Sequence, residues 1–383
     1  MVTMKFGGAV LRSPEGFRQM ATILRKTNEP VLVVVSAFAS ATRDLEFAAR
    51  LAAKGLPAEA HERLLQVIDD HRALMRSLLP VPAIRDALDA LVEGVHAAAS
   101  ELLSAIAVTR QLTPKTLDKL LAFGEFLALH IARHVLVSDD LDVVGVDAGE
   151  VMITTNDHGR AVPIPDAIRT RVNTVLKPAL QEHQIVLVQG FVGRGQDGST
   201  TTMGRESSNL TATVLGSALG VREIVIWTDV EGIRSADPHL CDHTRLRPEL
   251  SWSEARVAAN VGLKLLYPTM IEPAESHNIP IRFACAARPN GESSLIGRSS
   301  KPCEPIVITR EGAEGATDIV TVFADASPWL TAASQAVSEL NEADPFFVSC
   351  DRPSSGYRFT TSFGSAPRIT RCFHDALVNT TRL

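Results

Sequence analysis

Three short stretches of the chain carry residue types suited to holding an anion. The first is KFGG, where Lys5 precedes the glycine pair Gly7 and Gly8 at the end of a predicted strand. Paired glycines let the backbone approach a ligand closely, and a nearby lysine puts a point charge on the same ligand. The second is GRESSN, residues 204–209, a polar loop opening a predicted helix with Ser207, Ser208 and Asn209 as cap candidates. Unpaired N–H groups and the positive end of the helix dipole suit a phosphate or carboxylate there; they suit an ordinary capped helix between two strands equally well. The third is Thr228–Asp229, directly after the predicted strand Glu223–Trp227. Strand ends in open α/β sheets are where ligands sit. One acid, Glu125, stands in the apolar stretch LAFGEFLALHIA. A buried carboxylate needs a partner, so Glu125 is either a structural acid satisfied by neighbours or a ligand-facing group. The loop SAFASATRD offers hydroxyls at Ser36, Ser40 and Thr42, or is a plain connection.

The elements that must position these residues alternate in an α/β order. Strands are predicted at the N-terminus, at Pro30–Val35, Val143–Val146 and Ile185–Val188, as continuous apolar runs suited to a parallel sheet covered on both faces. Between Asp44 and Val137 the apolar spacing is helical, and the segment QGFVGRGQDGST reads as a glycine-rich turn. A helix is predicted from about Ser208 to Leu219, then the strand before Thr228, a further helix around Ala255–Val261 and a strand at Ile281–Ala284. Composition shifts at residues 298–305, read as a linker. The tail reads strand, helix (Pro328–Leu340), strand, strand, helix, a small α+β module.

A chain of 383 residues, 45% apolar and 21% charged, can bury a sizeable core and suits two or three domains. The formal charge of −6, with basic residues dispersed, argues against affinity for nucleic acid or an anionic membrane, and points to small-molecule ligands. Five scattered cysteines without a CxxC pair indicate neither a disulfide framework nor a zinc site, and suit a reducing cytoplasm. His239, Cys241 and His243 in HLCDH fall short of a metal site, and none is assigned. No N-terminal signal pattern and no apolar run of spanning length is read, so neither export nor membrane crossing is expected.

Over its first three hundred residues the chain resembles aspartate kinases, of the amino-acid kinase superfamily. The matching pieces, in order, are KFGG at 5–8, VVVSA at 33–37, FGE at 123–125 and VDAGEVMITTNDHGRA at 146–161. They continue with QGFVGR at 189–194, TTMGR at 201–205, WTDVEGIRSADP at 227–238 and GLKLLYPTMIEPAESHNIPIR at 262–282. The tail, residues 305–383, resembles a single ACT module, the ferredoxin-like unit that such kinases usually carry twice, without its last strand. The resemblance implies an αβα sandwich around a mostly parallel sheet over residues 1–300, with an acid-substrate lobe at about 1–200 and a nucleotide lobe at about 201–300.

The implied activity is transfer of the γ-phosphoryl of ATP, with Mg2+, to the side-chain carboxylate of L-aspartate, giving 4-phospho-L-aspartate. Such chemistry is mostly positioning and charge neutralisation. By family position Lys5, Gly7 and Gly8 meet the transferred phosphate and Asn209 takes a catalytic place; Ser36, Thr42, Glu125 and Arg205 hold the acid; and Thr228, Asp229, Arg234 and Lys264 hold the nucleotide. The departures lie at the same places. KFGGTS of the family is KFGGAV here, GRGGSD is GRESSN, Arg43 stands for an asparagine and His239 for an arginine. A kinase of the same fold acting on another small acid, and a non-catalytic regulatory homologue, are the alternatives. Pairing of the tail with a second copy implies a homodimer or a higher homo-oligomer.

Overall fold

A computed structural model describes residues 1–38, 40–204, 206–299, 306–310, 318–323, 347–351, 356–361 and 364–380. Arg205 and the helix expected at Pro328–Leu340 lie outside them. The chain divides into two compact units, Met1–Val230 with Ala284–Pro289, and Glu231–Phe283 with Asn290–Leu383.

The first unit is built on apolar runs too long and too uniform to face water. They are β1 (Val2–Phe6), β2 (Val31–Val35), β3 (Val143–Val146), β5 (Ile185–Gln189) and β8 (Ile224–Thr228), side by side in the order β3-β5-β2-β1-β8. All pair in parallel, with Lys5 opposite Val34 on one side and Ile226 on the other. Every residue of β1, β2, β5 and β8 is buried, as a sheet covered on both faces requires. Parallel pairing brings the C-terminal ends of the strands to one edge, so Phe6, Val35, Gln189 and Thr228 end together.

Helices cover the faces. After α1 (Pro14–Arg25) come α2 (Ala41–Ala53), α3 (Pro57–Leu78), α4 (Pro82–Thr109) and α5 (Pro114–Ser138), which fill the span expected to be helical. The expectation that no apolar run is of spanning length is corrected for α4 and α5, which are long and apolar enough to cross a membrane by length and composition. Isolated charges interrupt both runs in the sequence without lowering their mean hydropathy, 1.4 and 1.6, far enough. The apolar window of α5 is mostly buried, where the helix packs on β2, β3 and β5.

Beyond β3 lie α6 (Ala148–Val151), β4 (Ile153–Thr154) and α7 (Pro165–Arg171), which runs through a π-helical stretch, Val172–Leu176, into α8 (Lys177–Glu182). The glycine-rich stretch after β5 is a hairpin rather than a turn: β6 (Val192–Gly195) pairs antiparallel with β7 (Thr200–Thr202) and parallel with β4. From it the chain enters α9 (Ser207–Leu219) and then β8.

In the second unit β9 (Glu249–Ser251) leads into α10 (Trp252–Val261), whose start is fixed by a capping box between Ser251 and Glu254. Next come α11 (Pro268–Ser276), β10 (Ile281–Cys285) and β11 (Ser293–Gly297), the last parallel to β9. The tail holds an antiparallel sheet, β12-β13-β15-β14, of β12 (Ile306–Arg310), β13 (Asp318–Phe323), β14 (Phe347–Asp351) and β15 (Gly356–Thr361), followed by α12 (Ala366–Thr380). β12, at the start of the tail and not expected as a strand, pairs antiparallel along one edge of β13. That edge of β13 is therefore paired within the chain.

Candidate active site

Four polar residues meet at the C-terminal edge of the first unit's sheet. Lys5 is the penultimate residue of β1 and only 6% exposed. Burial is the largest influence on its ammonium and lowers its pKa; the charges of Glu206 and Glu125 work the other way. Glu125, on α5, is 3% exposed, and its Oε2 accepts a hydrogen bond of 2.7 Å from the Ala37 amide just past β2. Burial pushes its pKa up to about 8 against the pull of that amide and of Lys5. An acid and a base are thus each drawn toward the neutral form in a dry site, where a ligand's own charges weigh heavily.

The other two residues have spare hydrogen-bonding capacity. Ser36 Oγ, directly after β2, and Asn209 Oδ1, in the first turn of α9, are buried and make no hydrogen bond among the described residues. A buried polar atom left without a partner costs about 1–3 kcal/mol, a cost that a polar ligand would relieve.

The backbone around them is shaped to match. A Cβ on Gly7 would stand 3.3 Å from Lys5 Nζ and 3.6 Å from the Trp227 carbonyl oxygen. Past Gly7 the chain turns back through Val10 N to Gly7 O at 2.9 Å, and the Gly8 and Ala9 amides make no hydrogen bond among the described residues. Ala9 and Val10 thus lack hydroxyls but leave two N–H groups beside the lysine. Gly190 is required by close approach, since a Cβ there would lie 2.5 Å from that of Ser208. At the start of α9, Ser207 Oγ donates to the Gly204 carbonyl at 2.6 Å, and Glu206 takes the left-handed conformation at φ 61°. Thr42 is half-buried in the first turn of α2, and Arg43 is exposed 3.9 Å from Asp44.

The remaining candidates are distributed between the units. In the first, Thr228 Oγ1 accepts from the Val230 amide at 2.9 Å, the Thr228 carbonyl accepts from Ala286 N at 2.9 Å, and Asp229 is exposed. In the second, Arg234 donates through Nε to Thr244 Oγ1 at 2.6 Å and lies 3.8 Å from Glu231. Lys264 is largely exposed, 2.7 Å from Asp237.

One network went unread in the sequence. Asp118, 1% exposed on α5, accepts from Thr202 Oγ1 at 2.5 Å and Gly159 N at 3.1 Å, with His158 Nδ1 2.8 Å away. It fastens the loop 156–160 and β7 to α5, two residues before the turn at Gly204. The polar run Asn156–Asp157–His158–Gly159 marks a loop with no apolar face to bury, but nothing in it names Asp118 as its holder.

The family model for the amino acid kinase family matches residues 1–285. Among curated relatives, chloroplastic aspartokinase 2 of Arabidopsis thaliana is 31% identical over 301 residues, 77% of this chain and 54% of that protein. Lysine-sensitive aspartokinase 3 of Escherichia coli is 31% identical over 297 residues, 77% of this chain and 64% of that protein. The chain therefore spans a little over half the length of these relatives. Among solved structures, E. coli aspartokinase III with aspartate and ADP superposes with a TM-score of 0.87 at 22% identity, covering 99% of this chain and 100% of that one. The same enzyme with lysine and aspartate gives 0.73 at 26% identity, over 100% and 83% of the two chains. The α/β fold read from the strand order is the fold of these structures, and with three quarters of its length matched the chain belongs to the amino acid kinase family.

Proposed function

We propose that this chain phosphorylates the side-chain carboxylate of L-aspartate at the expense of ATP, giving 4-phospho-L-aspartate. The observation that carries the reading is the buried set Lys5, Ser36, Glu125 and Asn209, with two polar atoms awaiting partners, at the sheet edge where ligands bind. The relatives named aspartokinase, and an aspartate-bound structure of the same fold, support the choice of acid.

In this reading Lys5 and the free amides of Gly8 and Ala9 face the transferred phosphoryl group. Lys5 neutralises charge that grows in the transition state. Glu125 receives the substrate ammonium, whose charge replaces lost solvation and draws the carboxyl back to its ionised form. Ser36 and Thr42 donate to the acid, and Arg205 binds its α-carboxylate. Thr228, Asp229, Arg234 and Lys264 hold the nucleotide. Mg2+ bound together with ATP would supply further charge neutralisation at the transferred phosphoryl group. Residues 1–300 serve as the kinase part, and 305–383 as an ACT-like module for pairing or regulation. Cys241 and Cys285, buried free thiols, suit a cytoplasmic setting.

A kinase for another small carboxylic acid is the second reading, favoured by the neutral, unpartnered Asn209 in a family position that carries charge. ADP release measured with L-aspartate, L-glutamate, succinate and malate separates the two. Release dependent on L-aspartate alone supports the first; release with another acid and none with L-aspartate overturns it.

A further inference from the structure

A concavity in the first unit is lined by none of Lys5, Ser36, Glu125 and Asn209. It has a volume of about 420 Å³ and is lined by Lys119, Phe123 and Phe126 of α5, Asp147 and Glu150 at α6, and Arg194 of β6. That volume lies in the range of small-molecule pockets. Its floor is the C-terminal end of the sheet two and three strands from β1: Gln189 closes β5, and Asp147 directly follows β3. Lys119, Phe123 and Phe126 are spaced by four and three residues and share one stripe of α5, whereas Asp118 and Glu125 share the adjacent one.

The lining contains both signs of charge. Lys119, Glu150 and Arg194 are exposed, and none of them forms an ion pair among the described residues. Asp147 is held in place by the Gly149 amide at 2.7 Å on one oxygen and by Gln189 Nε2 at 2.9 Å on the other, and each oxygen keeps a lone pair. A simple anion would be repelled by Asp147 and Glu150, and a simple cation by Lys119 and Arg194. Only a ligand carrying both charges is satisfied by all four. The half-buried rings of Phe123 and Phe126 supply apolar surface beside them.

We propose that this cavity binds a zwitterionic α-amino acid with an apolar side chain. Its carboxylate lies toward Lys119 and Arg194, its ammonium toward Asp147 and Glu150, and its side chain on Phe123 and Phe126. The occupant touches the same helix that carries Glu125, so it shifts acid binding by as much as the acid shifts its own binding. That second statement rests on the function proposed above; the binding itself does not.

Calorimetric titration of L-leucine, L-methionine and L-phenylalanine into the full chain tests it. At least one should bind saturably with a Kd below about 1 mM. Arg194→Gln and Glu150→Gln, both at exposed positions, should each weaken that affinity at least tenfold with circular dichroism unchanged. The single-charge analogues of leucine, 4-methylpentanoate and isoamylamine, should bind at least tenfold more weakly than leucine, and Lys5→Ala should leave leucine binding intact. The proposal is overturned by no saturable heat with any of the three, by affinity that survives both substitutions, by analogues that bind as well as leucine, or by loss of binding in Lys5→Ala. That last result would place the amino acid in the site around Lys5.

Discussion

Asp118 and Glu125 lie seven residues apart on one stripe of α5, and each carboxylate holds a different loop. Asp118 holds Thr202 and Gly159, while Glu125 holds the Ala37 amide. Two turns of helix set these anchors about 10 Å apart along the axis. The segment after β2 and the segment entering α9 are thereby fixed to one rigid rod, with Lys5 electrostatically coupled to the second acid.

Asp118→Asn should loosen one anchor and leave the other. The amide keeps one acceptor but turns an N–H group toward partners that are themselves donors. A lost hydrogen bond to a charged group costs about 1.5–3 kcal/mol. The KM for the acid should rise by roughly tenfold or more, with the KM for ATP changed far less. Equal rises in both would mean general loosening rather than a misplaced acid site.

Removing Lys5 should slow turnover more than it weakens binding, because its charge counts most where charge moves. Lys5→Ala is expected to cost about 2.7–4 kcal/mol of barrier, roughly 100–1,000-fold in kcat. Turnover within a factor of a few of the parent, measured by ADP release, would take Lys5 out of the mechanism.

Much of this arrangement was legible in the sequence because it rests on uniform patterns. The runs VLVVV, IVLVQ and IVIWT became buried parallel strands, and the alanine- and leucine-rich span became four helices. Short or mixed elements were not legible. The strands β6 and β7 are of four and three residues, with glycines that read as a turn. β12 follows directly on a stretch whose composition reads as a linker. In the site, Lys5, Ser36, Glu125 and Asn209 stood out by type and context. The Asp118–Thr202 bond joins residues 84 apart, and no local pattern announces such a partner.

Stability should depend on pH through Glu125. Its pKa is near 8 when folded, against an ordinary value of 4.5, so between these values the folded chain holds a proton that the unfolded chain has released. Stability from this group is then complete below about pH 4.5 and falls as pH rises through 8. Glu125→Gln, which cannot ionise, should flatten that fall: its Tm relative to the parent should be higher at pH 9 than at pH 5. Parallel Tm profiles in scanning calorimetry would show that Glu125 is ionised throughout.

The turn into α9 brings strain and charge together. Glu206 occupies the left-handed region at φ 61°, where a glycine would sit without strain, and a non-glycine residue there costs about 1 kcal/mol. Its negative charge bears on Lys5, and three residues later Asn209 presents an unpartnered amide oxygen in place of the family's aspartate. On the proposed function, Glu206 supplies at Lys5 the charge that an aspartate at 209 would bring. Glu206→Gly should raise stability by about 1 kcal/mol and still lower kcat. Asn209→Asp should not simply speed the reaction, because a third carboxylate added to Glu206 and Glu125 brings like-charge repulsion, about 4 kcal/mol for two unit charges at 4 Å and an effective dielectric of 20, against its attraction to Lys5. The two substitutions together should restore what Glu206→Gly loses. If Asn209→Asp alone converts a slow protein into a fast aspartate kinase, and Glu206→Gly adds to the gain, the native chain is a regulatory homologue and not a working kinase.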